Sequence, residues 1–286
     1  MGQGVGVASV TDGFSVLVAA LQSVTGCDLS EYSDKSLRRR MRKLSQDEGA
    51  DYGQLLVRLR ERPAYAEHML NKITVNTSEL FRDPPMWQAL RSHGLLRLRY
   101  HSQVSVWHAG CSMGQEVYSM LMLLNELGMM MRTKVYASDL NSEVLLRAKE
   151  GRYLYRFNLD YLNNFDRVIN TNPLDYRDKP NVPYEKYLEI NREEDWLRVR
   201  ACLRSRPLFK RSDLTRCENP FYVKYDVIFC RNVIIYFNKS LQSRLFRFFY
   251  QNLYPGGLLV LGRHESIAGV ADELFMPYSE FYLRRD

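Results

Sequence analysis

The stretch "YDVIFCRNVIIYF", Tyr225 to Phe237, decides how the chain is read. Val227, Ile228 and Phe229 form a short, wholly apolar, β-favouring run, the mark of a strand buried on both faces. Arg231 and Asn232 stand where that run ends, and Tyr236 follows four residues later. None of the three is needed for packing. In open α/β sheets the ligand crevice lies beyond the carboxyl ends of the strands, so polar residues at such an end point to a binding site.

The same rhythm recurs through the C-terminal two-thirds of the chain. "VSVWHAG" reads as a strand and "QEVYSMLMLLNELG" as a helix ending at Gly128. "TKVYASD" and "NSEVLLRAKEG" repeat the pair, with Asn141 as the helix cap, and "KSLQSRLFRFFYQNLY", the turn "PGG" and "LLVLG" continue it. Alternating strands and helices predict a parallel, doubly wound α/β sheet. "EFYLRRD" closes the chain as an expected edge strand. Residues 152–211 interrupt the pattern with prolines, aromatics and charges. They are read as an inserted β-subdomain of about 160–211, with "KYLEI" and "WLRVRACL" as short strands.

The N-terminal third is helical in signal. "FSVLVAALQSVTG" closes at Gly26, Ser33 or Asp34 caps "KSLRRRMRKLSQDEG", and "YGQLLVRLRER" stops before Pro63. The resulting division is an all-helical domain over 13–83, a linker helix over 84–101, and an α/β domain over 102–286.

Composition bounds the function. The 286 residues, 45% hydrophobic and 26% charged, suit a globular protein, and no apolar run reaches the ~18 residues of a membrane span. Five scattered cysteines without a C-x-x-C pair indicate neither a disulfide framework nor a zinc site, so no metal and a reducing cytoplasm are expected. The net charge of +7 calls for an acidic partner. From Asp34 to Arg62 there are nine basic and five acidic residues, with Arg38, Arg39, Arg42 and Lys43 in one helix. No aromatic ladder accompanies them, so a nucleic-acid partner is not expected; a solvated face is the plain alternative.

"HAGCSMGQE", His108 to Glu116, joins the first strand to the first helix of the α/β region. It is neither a Walker loop nor G-x-G-x-x-G. Glu116 at the helix start would repel a pyrophosphate but could receive a ribose or an ammonium. Asp139 ends the second strand, where nucleotide-binding α/β folds hold ribose hydroxyls, or else caps the next helix. Together the two suggest a nucleoside ligand without phosphates, of which S-adenosylmethionine is the common one.

The chain resembles the CheR family of chemotaxis receptor methyltransferases. The resemblance rests on "ITVNTSELFRD", "VWHAGCSMGQEVYS", "VYASDLNSEVLLRAKEGRY", "YDVIFCRNVIIYF" and "YPGGLLVLGRHESI", in that order. It implies an all-helical N-terminal domain, a class I S-adenosylmethionine-dependent methyltransferase domain and a small inserted β-subdomain. It further implies that Asn76, Ser78, Arg82, Glu116, Asp139, Asp213, Leu214, Arg231 and Asn232 bind the cofactor, whose product is S-adenosylhomocysteine. Arg82 and Tyr236 would lie near the transferring methyl, and the basic helix would recognise the acidic methylation helices of chemoreceptors. A monomer without membrane insertion is expected. Ser78 stands where many relatives carry Thr; Met113, Gln115 and Val117 replace the usual Thr, Glu and Pro; Asp213 replaces Asn; and "GRHES" varies a G-H-S-E ending. Read without the family, Arg82 pairs with Asp83 or Glu79, Tyr236 is a half-buried aromatic, and His108, His264, Cys111 and Cys230 are structural. The rival functions are a non-catalytic signalling module of the same fold and a methyltransferase acting on another class of substrate.

Overall fold

The computed structural model describes residues 12–286 except 75–77, 157, 158, 176, 178, 179 and 268. The chain divides into two units, 1–75 and 76–286. The division falls eight residues before the expected end of the helical domain, and the expected linker helix belongs to the second unit.

The first unit holds α1 (Gly13–Thr25), α2 (Asp34–Asp47), α3 (Tyr52–Glu61) and α4 (Tyr65–Ile73). Three of the four starts are set by a local side-chain cap. The Asp12 carboxylate accepts from Phe14 N, Ser33 Oγ from Ser36 N, and Asp51 forms a capping box with Gln54. Of the two residues weighed as the α2 cap, Ser33 does the capping. Gly26 closes α1 in the left-handed conformation at φ 69°. Leu17, Leu21, Met41, Leu55 and Met69 are fully buried where α1 meets α3 and α2 meets α4.

The second unit opens with α5 (Pro84–Ala89), a π-helical turn (Leu90–Gly94) and α6 (Leu95–Arg97), so the "linker helix" is helical but broken in register. Then come β1 (Val104–Ala109), α7 (Gln115–Glu126), β2 (Thr133–Asp139), α8 (Ser142–Glu150), β3 (Arg152–Leu154), α9 (Leu159–Ile169), β4 (Leu188–Asn191), β5 (Trp196–Val199), α10 (Ala201–Arg204), β6 (Leu208–Arg211), β7 (Tyr225–Cys230), α11 (Lys239–Asn252), β8 (Leu253–Leu261), β9 (Phe275–Tyr278) and β10 (Phe281–Arg284). The main sheet runs β6-β2-β1-β7-β8-β10-β9, with β10 antiparallel to both of its neighbours and every other pairing parallel. The strand order reverses between β1 and β7. This is the class I methyltransferase fold.

Three boundaries differ from the sequence reading. The inserted three-stranded sheet, β3-β5-β4, starts at Arg152 and ends at Val199, while Leu208–Arg211 pairs with β2 as an edge of the main sheet. The closing segment is not the edge: β10 lies inside β9. The "PGG" turn is absorbed into β8, where the pairing with β7 slips between Tyr225 and Val227. Such reassignments depend on pairing partners, which a local pattern does not contain.

Every residue of β7 is buried, as its apolar run predicted. On one face Val106, Val227 and Phe229 join one cluster with Trp87 of α5 and Met120 of α7. On the other, Trp107 stacks on Tyr225 at 5.1 Å and meets Phe248 and Phe249 of α11 edge-on. Arg91 donates to the carbonyls of Val168, Ile169 and Thr171, capping the end of α9.

The reversal point leaves no room for a side chain at Gly110. Its φ is +81°, and an added Cβ would lie 2.6 Å from Val233 Cγ2. Gly128, at φ +65°, has nothing within 4 Å of its added Cβ. Gly128→Ala should therefore cost only the left-handed backbone, about 1–2 kcal/mol. Gly110→Ala should lose a further ~1–3 kcal/mol to overpacking. Urea denaturation of the two variants checks the difference; equal losses would show that the β1 turn is not packed against the segment after β7.

Candidate active site

Two strand ends meet at the reversal point. After β1, Gly110 N and Cys111 N both donate to Ser138 O, at 2.8 and 2.9 Å, which folds the turn over the end of β2. Ser112 N then donates to Asp139 Oδ2 at 2.8 Å, and Asn141 N to Oδ1 at 3.0 Å. The cap of α8 is Asn141, whose Oδ1 accepts from Glu143 N and Val144 N, so Asp139 is not consumed as a helix cap. Burial pushes the Asp139 carboxyl above the ordinary range, against the opposing pull of the Asn141, Ser112 and Leu140 amides.

The end of β7 carries Arg231, whose side chain is 2% exposed. Its Nη1 lies 3.0 Å from Glu116 Oε2; its Nη2 lies 2.7 Å from Asp83 Oδ2 and 3.1 Å from Arg82 O. One guanidinium thus ties together the 82–83 loop, the start of α7 and the end of β7. The other Glu116 oxygen is 2.8 Å from His108 Nδ1, and His108 stacks on Phe229 at 4.4 Å. Burial alone would raise the Glu116 pKa; His108 and Arg231 outweigh it and hold the carboxyl below its usual range. His108 is a positioning partner of Glu116, in line with the structural role expected of it. Cys111 and Cys230 are buried thiols whose pKa burial drives well upward.

Arg82 does not form the expected pair with Asp83 or Glu79, because Arg231 takes Asp83. Its backbone carbonyl serves Arg231 and Trp87 Nε1, while its half-buried guanidinium has no hydrogen-bond or ion-pair partner among the described residues. The loop is held in an uncommon shape: Phe81 and Asp83 have φ of 51° and 58°. Phe81 N donates to the buried Ser119 Oγ at 2.8 Å, which anchors the loop on α7.

Glu265, in "GRHES", is a site residue that the sequence reading did not single out. It is 9% exposed, and its carboxylate accepts from four backbone amides. Oε2 takes Asn232 N at 2.8 Å and Gly262 N at 2.7 Å; Oε1 takes Val233 N at 2.9 Å and Ile235 N at 3.3 Å. This fixes Asn232 at φ 59° and leads into the single turn (Ile234–Tyr236) that carries Tyr236. A Cβ on Gly262 would fall 2.7 Å from Glu265 Oε2 and 2.9 Å from Asn232 N, so this contact requires glycine. The ring of Tyr236 is half-buried, and its hydroxyl has no partner among the described residues.

Asp213 follows β6. Its Oδ1 accepts from Thr215 N and Thr215 Oγ1, at 2.9 and 2.8 Å, which places the buried Leu214 in the same turn. Its Oδ2 is buried without a partner, as are Ser112 Oγ, Gln115 Oε1 and Arg231 Nε. Buried polar atoms are rarely left unpaired, and these follow the ends of β1, β6 and β7. Acceptors and donors of this kind fit a polar nucleoside ligand. Ser78 is half-buried, and Asn76 lies outside the described residues.

In the helical unit, α2 presents Lys35, Arg39, Arg42 and Lys43 exposed on one face. Arg38 is committed elsewhere: it pairs with Asp12 at 2.8 Å and Asp34 at 2.9 Å, and covers the Phe14 ring at 4.2 Å. Among the described residues it is the one member of the expected recognition set that carries internal ion pairs. Among the described residues there is no cluster able to hold a metal, and no helix is long and apolar enough to cross a membrane.

Residues 12–74 match the family model "CheR methyltransferase, all-alpha domain", and residues 76–162 and 176–280 match "CheR methyltransferase, SAM binding domain". The Pseudomonas putida protein Cher3 is 32% identical over 253 residues, 88% of each chain. A chemotaxis protein methyltransferase of Salmonella typhimurium is 32% identical over 241 residues, covering 83% of this chain and 76% of its own. One from Borreliella burgdorferi is 30% identical over 220 residues, 73% of this chain and 71% of its own.

A pH test follows from Asp139. An ionised carboxylate accepts from ribose hydroxyls and a protonated one accepts poorly. Because its pKa is raised, protonation begins above the ordinary value of ~3.9. Affinity for S-adenosylhomocysteine should fall as pH drops through that raised pKa. Asp139→Ala should bind about ten- to a hundredfold more weakly and lose that pH dependence. Calorimetric titration across the acid range decides; an unchanged affinity in the variant would remove Asp139 from the ribose site.

Proposed function

Because this chain belongs to the CheR methyltransferase family and takes S-adenosylmethionine as its cofactor, we propose that it methylates glutamate carboxylates on the acidic methylation helices of chemoreceptors, in chemotaxis. The observation that carries the reading is Arg82. Its loop is tied by Arg231 to both strand ends of the reversal point, yet its own guanidinium is uncommitted. A cation held in place without an internal partner is suited to an incoming carboxylate.

Asp139 would hold the ribose, Asp213 and Leu214 the adenine, and Glu116 the amino group, with Ser78 and Asn232 completing the set. Asp213 Oδ2 is a free acceptor, which matches an exocyclic amino donor. When bound, S-adenosylmethionine supplies an electrophilic methyl on a sulfonium. A glutamate, with a reference pKa near ~4.3, is already a carboxylate at neutral pH, so the residues of the site need to remove no proton. Their task is orientation and exclusion of water, for which aligned reactants can supply about 7–11 kcal/mol. Arg82 would pair with the carboxylate and the Tyr236 hydroxyl would donate to it. Arg39, Arg42 and Lys43 would attract the acidic helix, an effect that weakens with salt.

With radiolabelled cofactor and receptor membranes, the product should be an alkali-labile methyl ester. Label that survives mild alkali would indicate nitrogen or carbon methylation and overturn the glutamate reading; no label with intact cofactor binding would indicate a signalling module. Tyr236→Phe should slow single-turnover transfer about five- to thirtyfold with an unchanged melting temperature. A rate equal to wild type would make Tyr236 a packing residue. Charge reversal at Arg39 and Arg42 should raise the receptor KM at low salt and leave S-adenosylhomocysteine affinity alone.

A further inference from the structure

A recess of about 290 Å3 opens between the turn that follows Asp213 and helix α11. Thr215 and Arg216 line it from the turn; Arg244, Arg247, Phe248 and Gln251 line it from α11. The four α11 residues fall at i, i+3, i+4 and i+7, so they share one helix face. Three arginines therefore line one small recess. No acidic residue is among its lining residues, and α11, "KSLQSRLFRFFYQN", contains none at all. Arg247 has no ion pair or hydrogen bond among the described residues.

We propose that this recess is a second ligand site, which binds a small phosphate-bearing molecule and is coupled to the cofactor site. The Arg247 guanidinium, without an internal partner among the described residues, has its charge left for an anion to meet. Guanidinium forks match phosphate oxygens two at a time, which favours phosphate over a lone carboxylate. The size is at the low end of ligand pockets, right for a phosphate on a small organic body and too small for a folded partner. Phe248 offers that body an apolar wall, and the Gln251 amide can donate and accept.

The coupling runs through Thr215. It lines the recess, and its N–H and hydroxyl are the two donors that hold Asp213 Oδ1, at 2.9 and 2.8 Å. An anion that orders the Thr215–Arg216 turn also orders the carboxylate assigned to adenine. By linkage, each ligand then raises the affinity of the other by the same factor. The coupling rests on that cofactor assignment; the anion site itself does not depend on the receptor as substrate.

Inorganic pyrophosphate, which lacks a base and does not mimic the nucleoside, is the probe. Calorimetry with the full chain should show saturable one-to-one binding that persists when S-adenosylhomocysteine saturates the cofactor site. Arg247→Ala should weaken it at least about tenfold, and Arg244→Ala/Arg247→Ala should abolish it. S-adenosylhomocysteine affinity measured without pyrophosphate should be unchanged in Arg247→Ala, which also shows that the variant is folded. In the wild type it should rise severalfold when pyrophosphate is present, and in the double variant it should not respond. Absence of saturable binding, displacement by S-adenosylhomocysteine, or binding that the double variant retains would each overturn the site. Binding without any change in S-adenosylhomocysteine affinity would overturn the coupling. None of these measurements uses turnover, so a failed methylation assay bears only on the receptor reading.

Discussion

The site depends on one buried cation. Arg231, at the end of β7, holds Asp83, the Arg82 carbonyl and Glu116 at once, and these come from three segments that are far apart in sequence. A buried guanidinium is costly without partners, and here both terminal nitrogens have them; removing one partner of such a cluster costs several times what an exposed pair would. The cluster therefore acts as a fastener. It sets the 82–83 loop against the turn after β1, and it explains why that loop tolerates left-handed backbone at Phe81 and Asp83: the surroundings over-determine it.

Glu265 is the anionic counterpart. Where Arg231 gathers acceptors, Glu265 gathers four amide donors, and the segment that leaves β7 is held between the two. Asn232 is presented in a conformation that no regular element would impose. Tyr236 then follows on a turn whose start is pinned by the same carboxylate. Both fasteners use charged hydrogen bonds, which are stronger and more directional than neutral ones. A site that worked by alignment rather than by proton transfer, as proposed above, would gain most from rigidity of this kind.

The sheet was legible in the sequence because burial on both faces leaves a continuous apolar run, as in β7, and because Gly110 and Gly114 mark a turn that needs positive φ. What the sequence did not reveal was pairing. Leu208–Arg211 reads as part of the insertion, since four residues of mixed polarity say nothing about which neighbour they join; its register with Tyr136–Asp139 makes it an edge strand of the main sheet. β10 looked like an edge for the same reason. Arg82 was visible as a motif residue, but that Arg231 and not Arg82 takes Asp83 depends on a contact spanning 148 residues. Glu265 is not legible as a site residue, because a glutamate in a loop carries no sign of the four amides that surround it.

The charges of the cluster also say what kind of ligand the site prefers. Asp83 and Glu116 bring two negative charges to one Arg231, and Asp139 adds a carboxylate at the end of the neighbouring strand. Counting these side chains alone, the strand ends carry more negative than positive charge in surroundings where water screens poorly. Such a site disfavours phosphates and welcomes a ligand bearing an ammonium and a sulfonium, as the absence of a Walker lysine already implied. A glutamate carboxylate, the substrate group proposed above, would be repelled by the same field. Arg82, left uncommitted because Arg231 takes Asp83, would supply the compensating charge on the 82–83 loop. On the proposed reading the two arginines would divide the work: one is spent on holding the structure, so that the other remains available to a substrate.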